Sequence, residues 1–263
     1  MTEPEINQDV PHSARVWNYL LGGKDNYPSD QAAGDQALDV LPEVARLARE
    51  SRQYLNRAVS YLVEEAGVRQ FLDIGTGLPT ADNTHEVAQR SAPEARIVYV
   101  DNDPLVLVHA RALLTSSPEG ACEYLHTDLR DPDTILKEAA RTLDFGRPVA
   151  LMLMGITEFI PDHDQLFDIV DRLVAALPSG SYLALYATTN VVHGERTDQA
   201  IEMWNQADGT TPMTARSVEQ ITRLFRGLDL VDPGLVEITQ WRPVHPDLTG
   251  DPVDGYAGIA RRS

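Results

Sequence analysis

Asp73-Ile74-Gly75-Thr76-Gly77 closes a short apolar run, Gln70–Ile74, and brings a carboxylate and two glycines to one point of the chain. Glycines directly after a strand let backbone approach a ligand closely, at the carboxyl edge where open α/β sheets bind small molecules. A second run, residues 96–100, delivers Asp101, a position from which a carboxylate accepts hydrogen bonds from both hydroxyls of a ribose. A third, Ala121–His126, leads into Thr127, Asp128 and Leu129. Three carboxylates at one sheet edge repel a pyrophosphate, and the third glycine of a dinucleotide fingerprint, Gly-x-Gly-x-x-Gly, is replaced by Thr80.

An NAD-dependent oxidoreductase is thereby disfavoured. The edge suits a ligand with ribose hydroxyls, an adenine amine and a cationic tail, and S-adenosylmethionine has all three. Each residue also has a purely structural use. The glycines could serve a tight turn, Asp101 or Asp103 could cap the helix opened by Pro104, and Asp128 could cap the next one. His126 reads as a packed residue. His85, His163, His193 and His245 are scattered without metal-ligand spacing, so no metal is predicted.

The elements that must position these residues follow from periodicity. Residues 14–21 and 31–65 carry apolar side chains at three- and four-residue spacing and read as helices, separated by the glycine-broken loop LLGGKDNYPSD. After Gly67, five buried-strand runs (70–74, 96–100, 121–126, 148–154, 181–187) alternate with helical stretches at 84–90, 104–114, 133–142, 163–177 and 195–206. Such alternation implies a doubly wound α/β fold of mostly parallel strands. Ser217 and Gln220 form a capping-box pattern opening a helix over 218–226, and LDLVDP, VEITQW and YAGIARR read as short antiparallel closing strands. Residues 243–255 are a loop rich in turn-formers.

Composition narrows the partners. Forty acidic against 22 basic side chains give a formal charge of -18, which opposes binding to nucleic acid or an anionic membrane face. At 43% hydrophobic the chain has material for a large core. Its longest apolar stretch, residues 149–156, is far below the roughly 20 residues of a bilayer span. The first residues, MTEPEINQDVPHSA, lack the apolar region of a secretory signal, and the single cysteine, Cys122, excludes an internal disulfide. A cytoplasmic location is expected.

PHSARVWNYLLGGKDNYPSD (11–30), LDIGTGLPTADNTHEVAQ (72–89), YVDNDPLVLVHARALL (99–114), DLRDP (128–132) and GLVEITQWRP (234–243) closely resemble a bacterial family of S-adenosylmethionine-dependent methyltransferases, long catalogued as a domain of unknown function. The resemblance runs nearly end to end. It implies a seven-stranded class I methyltransferase sheet with an antiparallel closing hairpin, residues 67–263, behind an N-terminal helical cap and lid, residues 1–66. It further implies Gly75, Thr76, Gly77 and Leu129 along the cofactor, Asp101 on the ribose, Asn102 beside the adenine, Asp128 near its amine and Asp73 near the methionine end. One departure is visible: many relatives carry a histidine where this chain has Glu158. Tyr19, Lys24, Asn26 and Tyr27, in the glycine-broken polar segment, are expected to form the lid. Glu158, His163, Tyr186 and His193, at or beyond the ends of strands four and five, are candidate acceptor-side groups, with ordinary structural roles as the rival for Glu158 and Tyr186. The resulting expectation is a methyltransferase acting on a small molecule. The alternative is a non-catalytic S-adenosylmethionine-binding sensor or partner-binding protein, and the oligomeric state stays open.

Overall fold

The five apolar runs become the five parallel strands of one sheet in the computed structural model, which describes residues 7–113, 115–245 and 250–263. They are β1 (Gln70–Ile74), β2 (Arg96–Asp101), β3 (Ala121–His126), β4 (Ala150–Met154) and β5 (Tyr182–Thr188). β6 (Asp229–Leu230), β7 (Val236–Glu237) and β8 (Gly255–Arg261) follow. The sheet runs β3-β2-β1-β4-β5-β8-β6, with β8 antiparallel to β5. β7 also pairs with β8, four residues back from where β6 does, so the closing edge is one antiparallel strand interrupted over residues 231–235.

Alternate residues of each parallel strand serve opposite faces, and apart from the edge strand β3 both faces are largely buried. Leu72, Val98, Leu151 and Leu183 pack beneath α6 (Pro132–Ala139), α7 (His163–Ala176) and α9 (Val218–Leu224). Phe71, Ile97, Met152 and Ala184 pack against α3 (Val44–Glu64) and α4 (Thr84–Ser91). The hydroxyl of fully buried Tyr54, on α3, donates to the Gly258 carbonyl at 2.9 Å and ties this helix to the sheet.

The apolar pattern over 31–65 resolves into two helices, α2 (Pro28–Val40) and α3, because Pro42 lacks the N–H that a continuous helix needs. α2 starts three residues earlier than the pattern suggests, with Pro28 at its first position and the Asp30 carboxylate accepting from the Tyr27 N–H at 2.8 Å. Asp30, fully buried, also accepts from the His12 N–H at 2.9 Å and pairs with Arg15 at 3.0 Å, fastening α2 to α1 (Ser13–Leu20). The capping box at Ser217 and Gln220 forms as expected. α5 (Pro104–Leu113) opens on Pro104; Leu114, at the expected end of this helix, and residues 246–249 of the expected 243–255 loop lie outside the described residues, as do the first six. Among the described residues no helix is long and apolar enough to cross a membrane.

Candidate active site

Register brings the acidic strand ends together. Asp73 pairs with Tyr99 and Asp101 with His126, so β1, β2 and β3 finish within two residues of each other at the carboxyl edge. Gly75 and Gly77 follow β1 with φ of +77° and +64°, a region that side chains resist. The Gly77 N–H donates to Asp101 Oδ2 at 2.8 Å, and the Asp103 N–H donates to Oδ1 at 2.9 Å. Asp101 is thereby held with its carboxylate against the glycine turn, and burial raises its pKa against the pull of those two N–H groups. The cap of α5 is Asp103, which accepts from the Leu105 N–H at 2.8 Å, and Asp131 caps α6. Asp101 and Asp128 are thus not needed as caps.

Asp128 accepts from Asn102 Nδ2 and from the Arg130 N–H, both at 2.8 Å, and the Arg130 guanidinium lies 3.2 Å away. Its partial burial acts to raise the pKa, yet these donors and the guanidinium bring it below the ordinary value. Asp73 differs. It is buried, accepts from the Thr84 hydroxyl at 2.6 Å, and desolvation pushes its pKa from 3.8 up to about 6, against the opposing effects of Thr84 and Arg52.

One cavity runs along this edge. It is lined by Asp73, Gly75, Thr76, Gly77, Asp101, Asn102, Asp128 and Leu129, and farther on by Glu158 and Tyr186. An added Cβ at Gly77 would meet nothing nearer than Ala14 Cβ at 4.0 Å, so the turn is open toward the cavity at that point. Glu158, on a short 3-10 turn after β4, is buried. It accepts from the Thr188 N–H at 2.7 Å and from the Thr157 hydroxyl at 3.1 Å, while its own carbonyl accepts from Thr214. It brackets the ends of β4 and β5. The Tyr186 hydroxyl lies against Gly155, where a Cβ would overlap it, and burial first, then the nearby Glu158 charge, hold it protonated.

Other expected site residues do not line the cavity. His163, at the start of α7, is hydrogen-bonded by Arg216 and by Gln220. His193 lies against Asp254 at 2.7 Å and faces Glu43 at 3.7 Å. The Tyr19 hydroxyl turns outward to donate to Asp35 at 2.6 Å, and Lys24 is exposed. The glycine-broken loop is a hydrogen-bonded knot: Asn18 Oδ1 accepts from the Asp25 N–H at 3.1 Å and from Asn26 Nδ2 at 2.9 Å, and a Cβ on Gly23 would collide with the Asn18 side chain. Tyr27 lies under the Arg15 guanidinium, 5.3 Å from ring centroid to Cζ. The roof over the cavity comes instead from the preceding turn and helix, through His12, Ala14 and Trp17. His12 latches it to the loop after β2 through Asp103, 3.0 Å away.

Arg52 lines the same cavity and is marked out by no sequence motif. It donates to the carbonyls of Ala81 and Asp82 at 3.0 and 2.8 Å, and its charge acts on Asp73. The available signal was its position: four residues after Ala48 and three before Leu55, on the face of α3 that is otherwise buried.

A family model described as S-adenosyl methyltransferase matches residues 1–263. The chain belongs to that family. A DUF574 family protein from Streptomyces avermitilis is 42% identical, with a TM-score of 0.95 over 98% of this chain and 100% of that one. A protein from Thermobifida fusca, provisionally assigned to the methyltransferases, is 41% identical, with a TM-score of 0.87 over 97% and 96% of the two chains. An O-methyltransferase family protein from Burkholderia thailandensis, 18% identical over 83% of this chain and 60% of its own, shares the fold at a TM-score of 0.54. No curated protein matches the chain. The cofactor of this S-adenosyl methyltransferase is S-adenosylmethionine, and the site's chemistry fits it. An acid-lined edge suits a sulfonium and an ammonium, and the positive-φ turn leaves Gly77 open to a ligand.

Proposed function

We propose that the enzyme methylates a small molecule, with the cofactor lying across the ends of β1, β2 and β3. In this reading Asp101 holds the ribose hydroxyls, Asn102 and Asp128 the adenine, the Gly75–Gly77 backbone the middle of the cofactor, Asp73 the ammonium and Arg52 the carboxylate. The first 66 residues supply the cap, through α1 and α2, and residues 67–263 the transferase sheet, with α3 serving both. When bound, the cofactor supplies an electrophilic methyl group. Its chemistry would be donation of that methyl to an acceptor lone pair, with S-adenosylhomocysteine as the neutral thioether leaving group. The protein's own contribution is alignment and exclusion of water beneath α1.

The observation that carries the reading is the convergence of Asp73, Asp101 and Asp128 with the open Gly77 turn on one cavity. The net charge of -18 supports a small acceptor over nucleic acid, and the lone Cys122 supports a cytoplasmic setting. Calorimetry tests it: S-adenosylhomocysteine should bind at one site, and NAD should give no heat. NAD binding without S-adenosylhomocysteine binding overturns it.

Two further results are expected. Replacing Arg52 by Met should weaken S-adenosylhomocysteine by about tenfold or more, the worth of a charge-assisted hydrogen bond, while leaving 5'-methylthioadenosine, which lacks the carboxylate, unaffected. Equal losses for both ligands would remove Arg52 from the carboxylate.

Asp73 sets a pH dependence whose sign is fixed. Its folded pKa, about 6, lies above its ordinary 3.8, so the free protein holds that proton longer than the unfolded chain does. This group therefore lowers stability as pH rises from about 4 to about 6 and has no further effect above. A bound ammonium favours the ionised form, so cofactor affinity should climb as pH rises through 6 and level off near neutrality. Asp73→Asn should flatten the slope; an unaltered slope in that variant would assign it to another group.

A further inference from the structure

The cavity continues past the cofactor edge into a compartment of different chemistry. Its walls are Trp17 and Leu21 of the roof, Ala37 of α2, Val44 at the start of α3, and Ile201 and Trp204 of α8 (Glu195–Gln206). All six side chains are only partly buried. Trp17, Leu21, Val44 and Trp204 pack on one side against the small cluster of Val16, Leu20 and Ala48. Two tryptophans kept half-covered inside a cavity leave apolar surface that a ligand of matching chemistry would cover.

The charged groups facing this compartment are already satisfied. The buried Asp254 carboxylate accepts from the Val192 N–H at 2.8 Å and the Thr197 hydroxyl at 2.6 Å, and meets His193 Nδ1 at 2.7 Å. Glu158 accepts from Thr188 and Thr157, as described above. Arg52, a lining cation of α3, turns one guanidinium nitrogen to the Ala81 and Asp82 carbonyls on the cofactor side, where the proposed reading gives its charge to the cofactor carboxylate. An anionic acceptor would meet two carboxylates here, and a cationic one would find both only 2% exposed and turned to protein donors.

We propose that the methyl acceptor is an uncharged, predominantly apolar small molecule seated between α1, α2 and α8. The proposal rests on the reading of the acidic end as the cofactor site, which leaves this end for the acceptor.

A matched pair of fluorophores tests it on the full-length protein. N-phenyl-1-naphthylamine is neutral and apolar; 1-anilinonaphthalene-8-sulfonate is the same molecule bearing a sulfonate. The neutral probe should bind at least about tenfold more tightly, with S-adenosylhomocysteine present as well as absent. Ala200→Trp on α8, at a residue that also lines the cavity, or Ala37→Phe on the facing helix, should weaken the neutral probe by at least about tenfold while S-adenosylhomocysteine affinity stays within about threefold. Equal or tighter binding of the sulfonate, displacement of the neutral probe by S-adenosylhomocysteine, or unchanged probe affinity in a folded filled variant overturns the proposal. If both variants fail to fold, the two probes on the unaltered protein still decide it. Absence of S-adenosylhomocysteine binding to the unaltered protein contradicts the cofactor reading and is separately visible in the same titrations.

Discussion

Asp101→Ala is expected to weaken S-adenosylhomocysteine binding by about 1.5 to 3 kcal/mol, roughly ten- to a hundredfold, the range for hydrogen bonds to a charged group. The geometry adds a second consequence. Both carboxylate oxygens already receive backbone N–H groups, from Gly77 and Asp103, so alanine orphans two donors at a nearly buried point as well as removing the ribose partner. Asp101→Asn separates the two effects. Its amide oxygen can still accept one N–H, so it should cost less stability than alanine, yet without the charge it cannot serve both ribose hydroxyls and should lose most of the affinity. Calorimetry on both variants, with folding checked by circular dichroism, reads the two quantities independently. Full affinity in either folded variant would remove Asp101 from the site.

Asp30→Ala should cost about 3 to 5 kcal/mol of stability, because it leaves the Arg15 guanidinium buried without its partner. Asp30 is fully buried and Arg15 nearly so, and the same carboxylate accepts the His12 and Tyr27 N–H groups. Since α1 roofs the cavity, the loss should also appear as weaker cofactor binding. A double replacement, Arg15→Met with Asp30→Leu, should recover much of the stability, as apolar substitutes of similar volume do for buried ion pairs. Urea denaturation measures both. A loss under about 1 kcal/mol for Asp30→Ala would mean that the α1–α2 junction is held by something else.

The parts legible in the sequence are those governed by local rules. A buried parallel strand announces itself as an apolar run, and its last residue reaches the sheet edge, so Asp73, Asp101 and Asp128 could be assigned to one rim from spacing alone. The Ser217 capping box and the Pro104 helix start were legible for the same reason. What escaped depends on contacts between distant segments. Arg52 reaches the loop after β1 some thirty residues away, and nothing local distinguishes it from a surface arginine except its place on the buried face of α3. The polar loop at 22–27 suggests a lid by its unusual composition. Its polarity is instead consumed internally, by Asn18, Gly23, Asp25 and Asn26, and the covering side chains come from apolar and histidine positions just before it. His163 illustrates the same limit. A histidine after a strand end looks chemical in sequence, and its two partners, Arg216 and Gln220, come from more than fifty residues away.

The acidity of the chain acquires two meanings in the folded protein. Most of the excess is solvated surface, whereas Asp73, Asp101 and Asp128 concentrate it along the cavity edge proposed for the cationic, ribose-bearing cofactor. In the neighbouring part of the cavity Glu158 and Asp254 are turned to protein donors, which in the proposed reading leaves a polar cofactor end and an apolar acceptor end.

The most direct test of this account is a crystal structure of the enzyme with S-adenosylhomocysteine. The ribose hydroxyls should lie on the Asp101 carboxylate and the amino-acid end between Asp73 and Arg52, with the compartment bounded by Trp17 and Trp204 left free for the acceptor. A ligand whose ribose lies away from Asp101, or whose body fills the Trp17–Trp204 compartment, would contradict it.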